Sequence, residues 1–294
     1  MDFLKSFSQK TKEGLCKIDF GSLCCCEAEM MGIIMFAGRF KGSEIRVSLE
    51  NAQAIKRFAE LTRVCVGVST EVHTLKNSYY STLNDKRILT MIVEYETAKN
   101  GFAEIVAREE CCRDAFLRGA FLGGGSIVDP NKNYNMEFAT YSRQIAEGFK
   151  TLLDDMGLMF RVHKKRSSYV LYTKNSDTVC DALAHMGAFS SQMEVLNVKI
   201  EREVRNDITR TSNGETANMD KVITAAIKQI RAIEKIEKVL GIDNLEEELR
   251  EVAILRRDNK DLSLDQLGKK LNPPLSKSGV NHRIKKILAI AEEL

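Results

Sequence analysis

The chain has no tryptophan, three prolines and four histidines in 294 residues. So little proline excludes a linker-rich or disordered architecture. His73, His163, His185 and His282 are scattered, with no ligand or triad partner near them in sequence, so a histidine-based active centre is not expected. Long apolar runs are also missing. "MMGIIMFAG" falls far short of the roughly 20 residues that cross a bilayer, and "MDFLKSFSQKTKEG" has no apolar core of a secretory signal. There is no serine-nucleophile elbow, and "GGGS" lacks the lysine of a phosphate-binding loop. These absences point to a cytoplasmic chain with no membrane partner and no cofactor. Its eight cysteines are then reduced thiols rather than a disulfide frame.

Hydrophobic residues make up 44% and charged residues 29%, an ordinary globular composition at a two-domain length. The net charge of +3 decides nothing by itself; its distribution matters.

Four glycines crowd the stretch "FLRGAFLGGGS", Phe116 to Ser126. Gly119 lies within a helical pattern, where glycine costs about 1 kcal/mol relative to alanine. An internal repeat explains it. With Gly32 set against Gly119, Gly38 falls on Gly125, and Cys24 and Cys25 fall on Cys111 and Cys112. Each copy continues similarly. "EIRVSLE", the helix "NAQAIKRFAELTRVCVG" and the strand-like runs "TEVHTL" and "RILTMIVEY" follow the first. "NMEFATY", the helix "SRQIAEGFKTLLDDMG", the strands "LMFRVHKK" and "SSYVLYT", and the helix "SDTVCDALAHMG" follow the second. Asn51 and Ser142 are expected N-caps. The order αββαββα thus appears over about 24–108 and 109–188. It predicts an α+β domain, residues 1–190, of two pseudo-symmetric halves. Gly32 and Gly119 are expected to let the two repeated helices approach closely, and Gly38 and Gly125 to end them with positive φ.

Residues 191–243 are expected to connect domains as two charged helices split by the polar break "TSNGET". Residues 244–294 read as three helices. Asn244 with Glu247 and Ser263 with Gln266 have capping-box spacing. Pro273 and Pro274 end the middle helix, and Ser276 is placed to cap the last. Val280, Ile284 and Ile287 form that helix's inward stripe. From Lys269 to Ile290 every charged residue is basic. This is the layout of a helix-turn-helix, whose second helix enters the major groove. Lys277 and Asn281 have the chemistry to read base edges. Ser276, Lys269 and Lys270 suit phosphates. Candidate DNA-binding residues are Ser263, Gln266, Lys269, Lys270, Ser276, Lys277, Ser278, Asn281, His282, Arg283, Lys285 and Lys286. A solvated basic face that binds protein is the alternative.

The paired helix motif resembles that of LAGLIDADG homing endonucleases. "FLRGAFLGGGSIVDPNKNYNMEF", with "SLDQLGKKLNPPLSKSGVNHRIKKI", resembles the WhiA family of bacterial regulators over nearly the whole chain. In LAGLIDADG nucleases the residue before the terminal glycine is acidic and binds the catalytic metal ions. Here those positions are Ala37 and Gly124. Glu29 lies at the wrong end of its helix, and Glu44 and Asp129 lie beyond the helix ends. The resemblance therefore implies a nuclease-like scaffold without catalytic residues or nuclease activity. It further implies a monomeric, nucleoid-associated, sequence-specific transcriptional regulator of double-stranded DNA, linked to cell division, chromosome segregation or sporulation. A metal-dependent endonuclease with displaced acids, or a docking scaffold for RNA polymerase or a sigma factor, stays open.

Arg161, His163 and Lys165 in "RVHKKR" alternate and would share a strand face, as an auxiliary DNA contact or a solvated hairpin tip. Cys24, Cys25, Cys111 and Cys112 could be neighbours. Adjacent helical residues point about 100° apart, however, so buried thiols rather than a metal site are expected.

Overall fold

The computed structural model describes residues 5–97 and 109–294; the end of the first repeat, 98–108, lies outside the described residues. The chain divides into two compact units, 1–202 and 203–294.

The first unit opens with helix α1 (Phe7–Leu15), fixed by a capping box between Ser6 and Gln9. The first repeat follows as α2 (Leu23–Ala37), β1 (Gly38–Lys41), β2 (Glu44–Leu49), α3 (Ala52–Val66), β3 (His73–Leu75), β4 (Ser78–Leu83) and α4 (Lys86–Thr97). The second runs α5 (Glu110–Gly124), β5 (Gly125–Ile127), β6 (Met136–Thr140), α6 (Arg143–Asp155), β7 (Arg161–Lys165), β8 (Ser168–Thr173) and α7 (Ser176–Met186). Each repeat folds one four-stranded antiparallel sheet, in the orders β1-β2-β4-β3 and β5-β6-β8-β7. The expected αββαββα duplication is present.

The helix signals work as capping chemistry requires. Asn51 accepts from the amides of Gln53 and Ala54, and Ser142 from that of Ile145. Apolar residues of both repeats meet in one core. Its centre is a ring cluster in which Phe149 lies 4.9 Å from Phe36 and 5.0 Å from Phe138.

Helices α2 and α5 pack along their length, and the glycines are where they touch. A Cβ on Gly32 would stand 2.5 Å from the carbonyl oxygen of Phe116. One on Gly119 would stand 2.0 Å from that of Glu29.

Several expectations need correction. "RILTMIVEY" is not a strand but most of α4. Asp85 caps it by accepting from the amides of Arg87 and Ile88, and buried Ile88 and Ile92 are one helical turn apart. Its β-branched residues imitate a strand; the strand lies upstream, at Ser78–Leu83. Gly38 and Gly125 do not have positive φ. They are extended (φ −75° and −82°) and start β1 and β5. Glycine is needed there because a Cβ would strike Ile34 O or the Phe121 ring, each at 2.4 Å.

The connector is one helix, α8 (Phe189–Val239), 51 residues long and unbroken through "TSNGET". Serine, asparagine and glycine weaken a helix without ending it, and the segment holds no proline and no positive-φ residue. Asn244 does not cap the next helix. It belongs to a short 3-10 turn and donates to Leu240 O.

Candidate nucleic-acid interface

The second unit packs the end of α8 with α9 (Glu247–Asp258), α10 (Leu264–Lys270) and α11 (Lys277–Glu293). Ile233 and Ile236 of α8 join Leu249, Val252, Leu267, Val280, Ile284 and Ile287 in its core. The stripe of α11 therefore faces inward as its spacing predicts. Buried Arg256 ties down the link between α9 and α10 by donating to Leu262 O at 2.7 Å.

The turn between α10 and α11 depends on Gly268, which the sequence reading passed over. Leu275 N donates to Gly268 O at 2.9 Å, and a Cβ at Gly268 would meet Leu275 O at 2.1 Å. The signal was a glycine inside the short helix "LDQLGKK", a position it would otherwise weaken. Ser276 then caps α11, accepting from Gly279 N at 3.3 Å. Cap and glycine together set how α11 leaves the turn.

The predicted residues separate into groups. Lys277, Ser278 and Asn281 line a shallow depression with Leu264 and Ser276, where the first turns of α11 adjoin the start of α10. Lys277, Ser278, His282, Lys285 and Lys286 are exposed, and Asn281 is half-buried. Ser263 and Gln266 are occupied with each other in a capping box. Lys269 pairs with Asp265 at 2.8 Å, and Lys270 donates to Asn259 Oδ1 at 2.9 Å. Arg283 turns away to Glu248 of α9, 3.1 Å distant.

In the first unit, Arg161, His163 and Lys165 are exposed on β7, in register with Tyr172, Val170 and Ser168 of β8. His163, Lys165, Tyr172 and Lys174 edge one depression of this sheet, which also holds Glu137. The first sheet carries a counterpart that sequence reasoning missed. Arg39 and Arg46 face each other across β1 and β2. The Arg46 guanidinium lies 3.8 Å from the Tyr80 ring centre, and that of Arg39 4.7 Å from Tyr141. The signal was alternation in "GRFK" and "EIRVSL".

The C-terminal ends of α2 and α5 carry Ala37 and Gly124 at the positions the sequence comparison singled out. Ala37 has no donor. A Cβ at Gly124 would stand 2.5 Å from Ala139 O and 3.1 Å from Phe36 Cβ, so a carboxylate does not fit. These residues do not suit a divalent cation. Two of the three nearby acids, Asp129 and Glu29, are engaged elsewhere. Asp129 accepts from the amide and side chain of Asn131 at 2.9 and 3.1 Å, and these bonds hold its carboxyl below the usual range. Glu44 opposes Lys41 at the β1–β2 turn. Glu29 is buried in α2, gripped by Arg57 through two hydrogen bonds and by Arg118 Nε at 2.9 Å. Arg57 and Arg118 also donate to the carbonyls of Ile18 and Met186, so this carboxylate organises the fold.

Elsewhere the structure supplies company that the sequence hid. His185 Nδ1 lies 2.7 Å from Asp114, and His73 stacks on Tyr80. Nor do the paired cysteines diverge as expected: the Sγ atoms of Cys24, Cys25, Cys111 and Cys112 all lie within 4.8 Å of one another.

A duplicated αββαββα unit on a glycine-packed helix pair, together with a three-helix unit whose last helix is basic and follows a tight turn, defines a LAGLIDADG-like scaffold combined with a helix-turn-helix. Comparison with known proteins agrees. The WhiA LAGLIDADG-like domain matches residues 113–205 and the WhiA C-terminal HTH domain residues 208–291. A relative named probable cell division protein WhiA, from Ruminiclostridium cellulolyticum, is 38% identical over 98% of both chains. The crystal structure of full-length DUF199/WhiA from Thermatoga maritima is 30% identical, covers 99% of both chains and superposes with a TM-score of 0.62. The N-terminal LAGLIDADG domain of DUF199/WhiA, 22% identical, covers 63% of this chain and 92% of its own, with a TM-score of 0.54. The chain belongs to the WhiA family.

Proposed function

We propose that the chain is a sequence-specific DNA-binding transcriptional regulator acting in cell division, with chromosome segregation or sporulation among the processes it serves. The observation that carries this reading is the start of α11. Lys277, Ser278 and Asn281 lie together beside the turn, with Lys285 and Lys286 exposed farther along and no acidic residue between them. Lys277 and Asn281 reach base edges, and Lys285 and Lys286 neutralise phosphates. Residues 244–294 then carry recognition, 191–243 connect, and 1–190 add an auxiliary surface. In that surface Arg161, His163 and Lys165 on one sheet and Arg39 and Arg46 on the other contact the DNA backbone. The protein works as a monomer in the cytoplasm, on the nucleoid.

The nuclease-like unit does not cut. Support comes from Ala37 and from the closed space at Gly124. Incubation of the full chain with supercoiled and linear DNA in magnesium tests this, and both substrates should stay intact. Nicking abolished by Asp129→Ala would instead establish an endonuclease with displaced acids. Retention of RNA polymerase or a sigma factor, with only weak DNA binding of no sequence preference, would favour the docking scaffold.

A further inference from the structure

Cys24 and Cys25 occupy the first turn of α2, and Cys111 and Cys112 that of α5. The Gly32–Gly119 alignment equates the two pairs, so each half of the domain supplies two thiols. The pseudo-dyad exchanges Cys24 with Cys111 and Cys25 with Cys112 within one cluster of sulfurs. All four cysteines are free, and all four Sγ atoms lie within 4.8 Å of one another. Cys25 and Cys112 are buried, whereas Cys24 and Cys111 are exposed and leave a route for entry.

A second observation concerns Ser22. It holds the N-cap position of α2 but makes no capping bond. Its hydroxyl instead lies 3.0 Å from Cys24 Sγ and 3.2 Å from Cys25 Sγ. The N-cap of α5, Glu109, makes no side-chain capping bond either. Neither helix start is closed by a side-chain cap, and the hydroxyl of Ser22 is engaged with the sulfurs instead.

We propose that Cys24, Cys25, Cys111 and Cys112 form a tetrathiolate site for one soft divalent ion of the zinc class, joining the starts of α2 and α5. Zinc–sulfur bonds of about 2.3 Å set tetrahedral sulfurs about 3.8 Å apart, a small contraction of the cluster. A two-iron cluster would hold opposing sulfurs farther apart. Thirteen residues separate Cys24 from Ala37, about 20 Å along the helix. The ion therefore lies at the opposite end of the pair from the lost nuclease centre and serves structure. The Ser22 hydroxyl, beside Cys24 and Cys25, helps to stabilise the net negative charge of the four thiolates around it.

The test is cobalt(II) titration of the full chain, reduced and kept anaerobic. One cobalt per chain should bind with the visible ligand-field and thiolate charge-transfer bands of tetrahedral thiolate coordination. Zinc should bleach them. Cys24→Ser with Cys111→Ser, at the two exposed positions, should abolish the bands, and Cys65→Ala should retain them. The wild-type spectrum is informative even if a variant fails to fold. A folded, reduced wild-type chain without thiolate bands overturns the proposal. So do Cys24–Cys112 and Cys25–Cys111 disulfides in anaerobically purified protein.

Discussion

Gly119 has room for a hydrogen and nothing more, because a Cβ would stand 2.0 Å from a carbonyl oxygen of the neighbouring helix. Intrinsic helix propensity alone makes Gly119→Ala stabilising by about 1 kcal/mol. Packing reverses the sign, since the backbone of α2 cannot yield without parting the helices. Urea denaturation should show a loss at the upper end of the roughly 1–3 kcal/mol typical of overpacking, or beyond it. Glu29 is a second such position. Glu29→Gln leaves Arg57 and Arg118 without a counter-charge inside the protein and should cost about 3–5 kcal/mol; a loss below about 1 kcal/mol would contradict the clamp. Cys65 gives a pH prediction. Burial, with help from nearby acidic groups, raises its thiol from 9.0 to about 12. As pH rises past about 9 the unfolded thiol loses its proton while the folded one keeps it. Its contribution is therefore complete below that pH and lost progressively toward 12. Thermal melts should show that Cys65→Ala flattens the alkaline decline; an unchanged slope would remove Cys65 from it.

Among the elements, α11 divides into faces with separate expectations. Lys277→Ala and Asn281→Ala should each cost about 1–3 kcal/mol on a specific site and relax preference at one base position. Lys285→Ala and Lys286→Ala should weaken all sequences alike and each reduce the salt slope by about one. Arg283→Ala should leave binding nearly unchanged, because that side chain faces Glu248. Binding isotherms across a salt series separate these outcomes. Much of this was legible in the sequence where the cause is local: caps at Asn51, Ser142, Ser263 and Ser276, the inward stripe of α11, and the repeated glycines. Non-local causes were not. Glu29 meets Arg57 across 28 residues and Arg118 across 89, and no short window shows either contact. "RILTMIVEY" was misread because β-branched side chains obscure a helical period, and α8 because polar residues weaken a helix without ending it.

At the scale of the whole chain, the duplicated unit is built on the close contact of α2 and α5, and a Cβ at Gly124 would meet Ala139 O and Phe36 Cβ. In the proposed reading the packing keeps small residues at Ala37 and Gly124, where metal-dependent cleavage would need acids. In the proposed reading, recognition falls to the second unit. Its core includes Ile233 and Ile236 of α8, so a cut at residue 240 would expose apolar surface, and point variants are the cleaner probe. The most direct measurement is selection of genomic DNA fragments by the intact chain and by the Lys277→Ala/Asn281→Ala variant, in magnesium. Recognition by α11 predicts that the wild type enriches a defined set of uncut fragments and that the variant, equally folded, loses that preference. An unchanged preference in the variant, or cleaved fragments with the wild type, would contradict it.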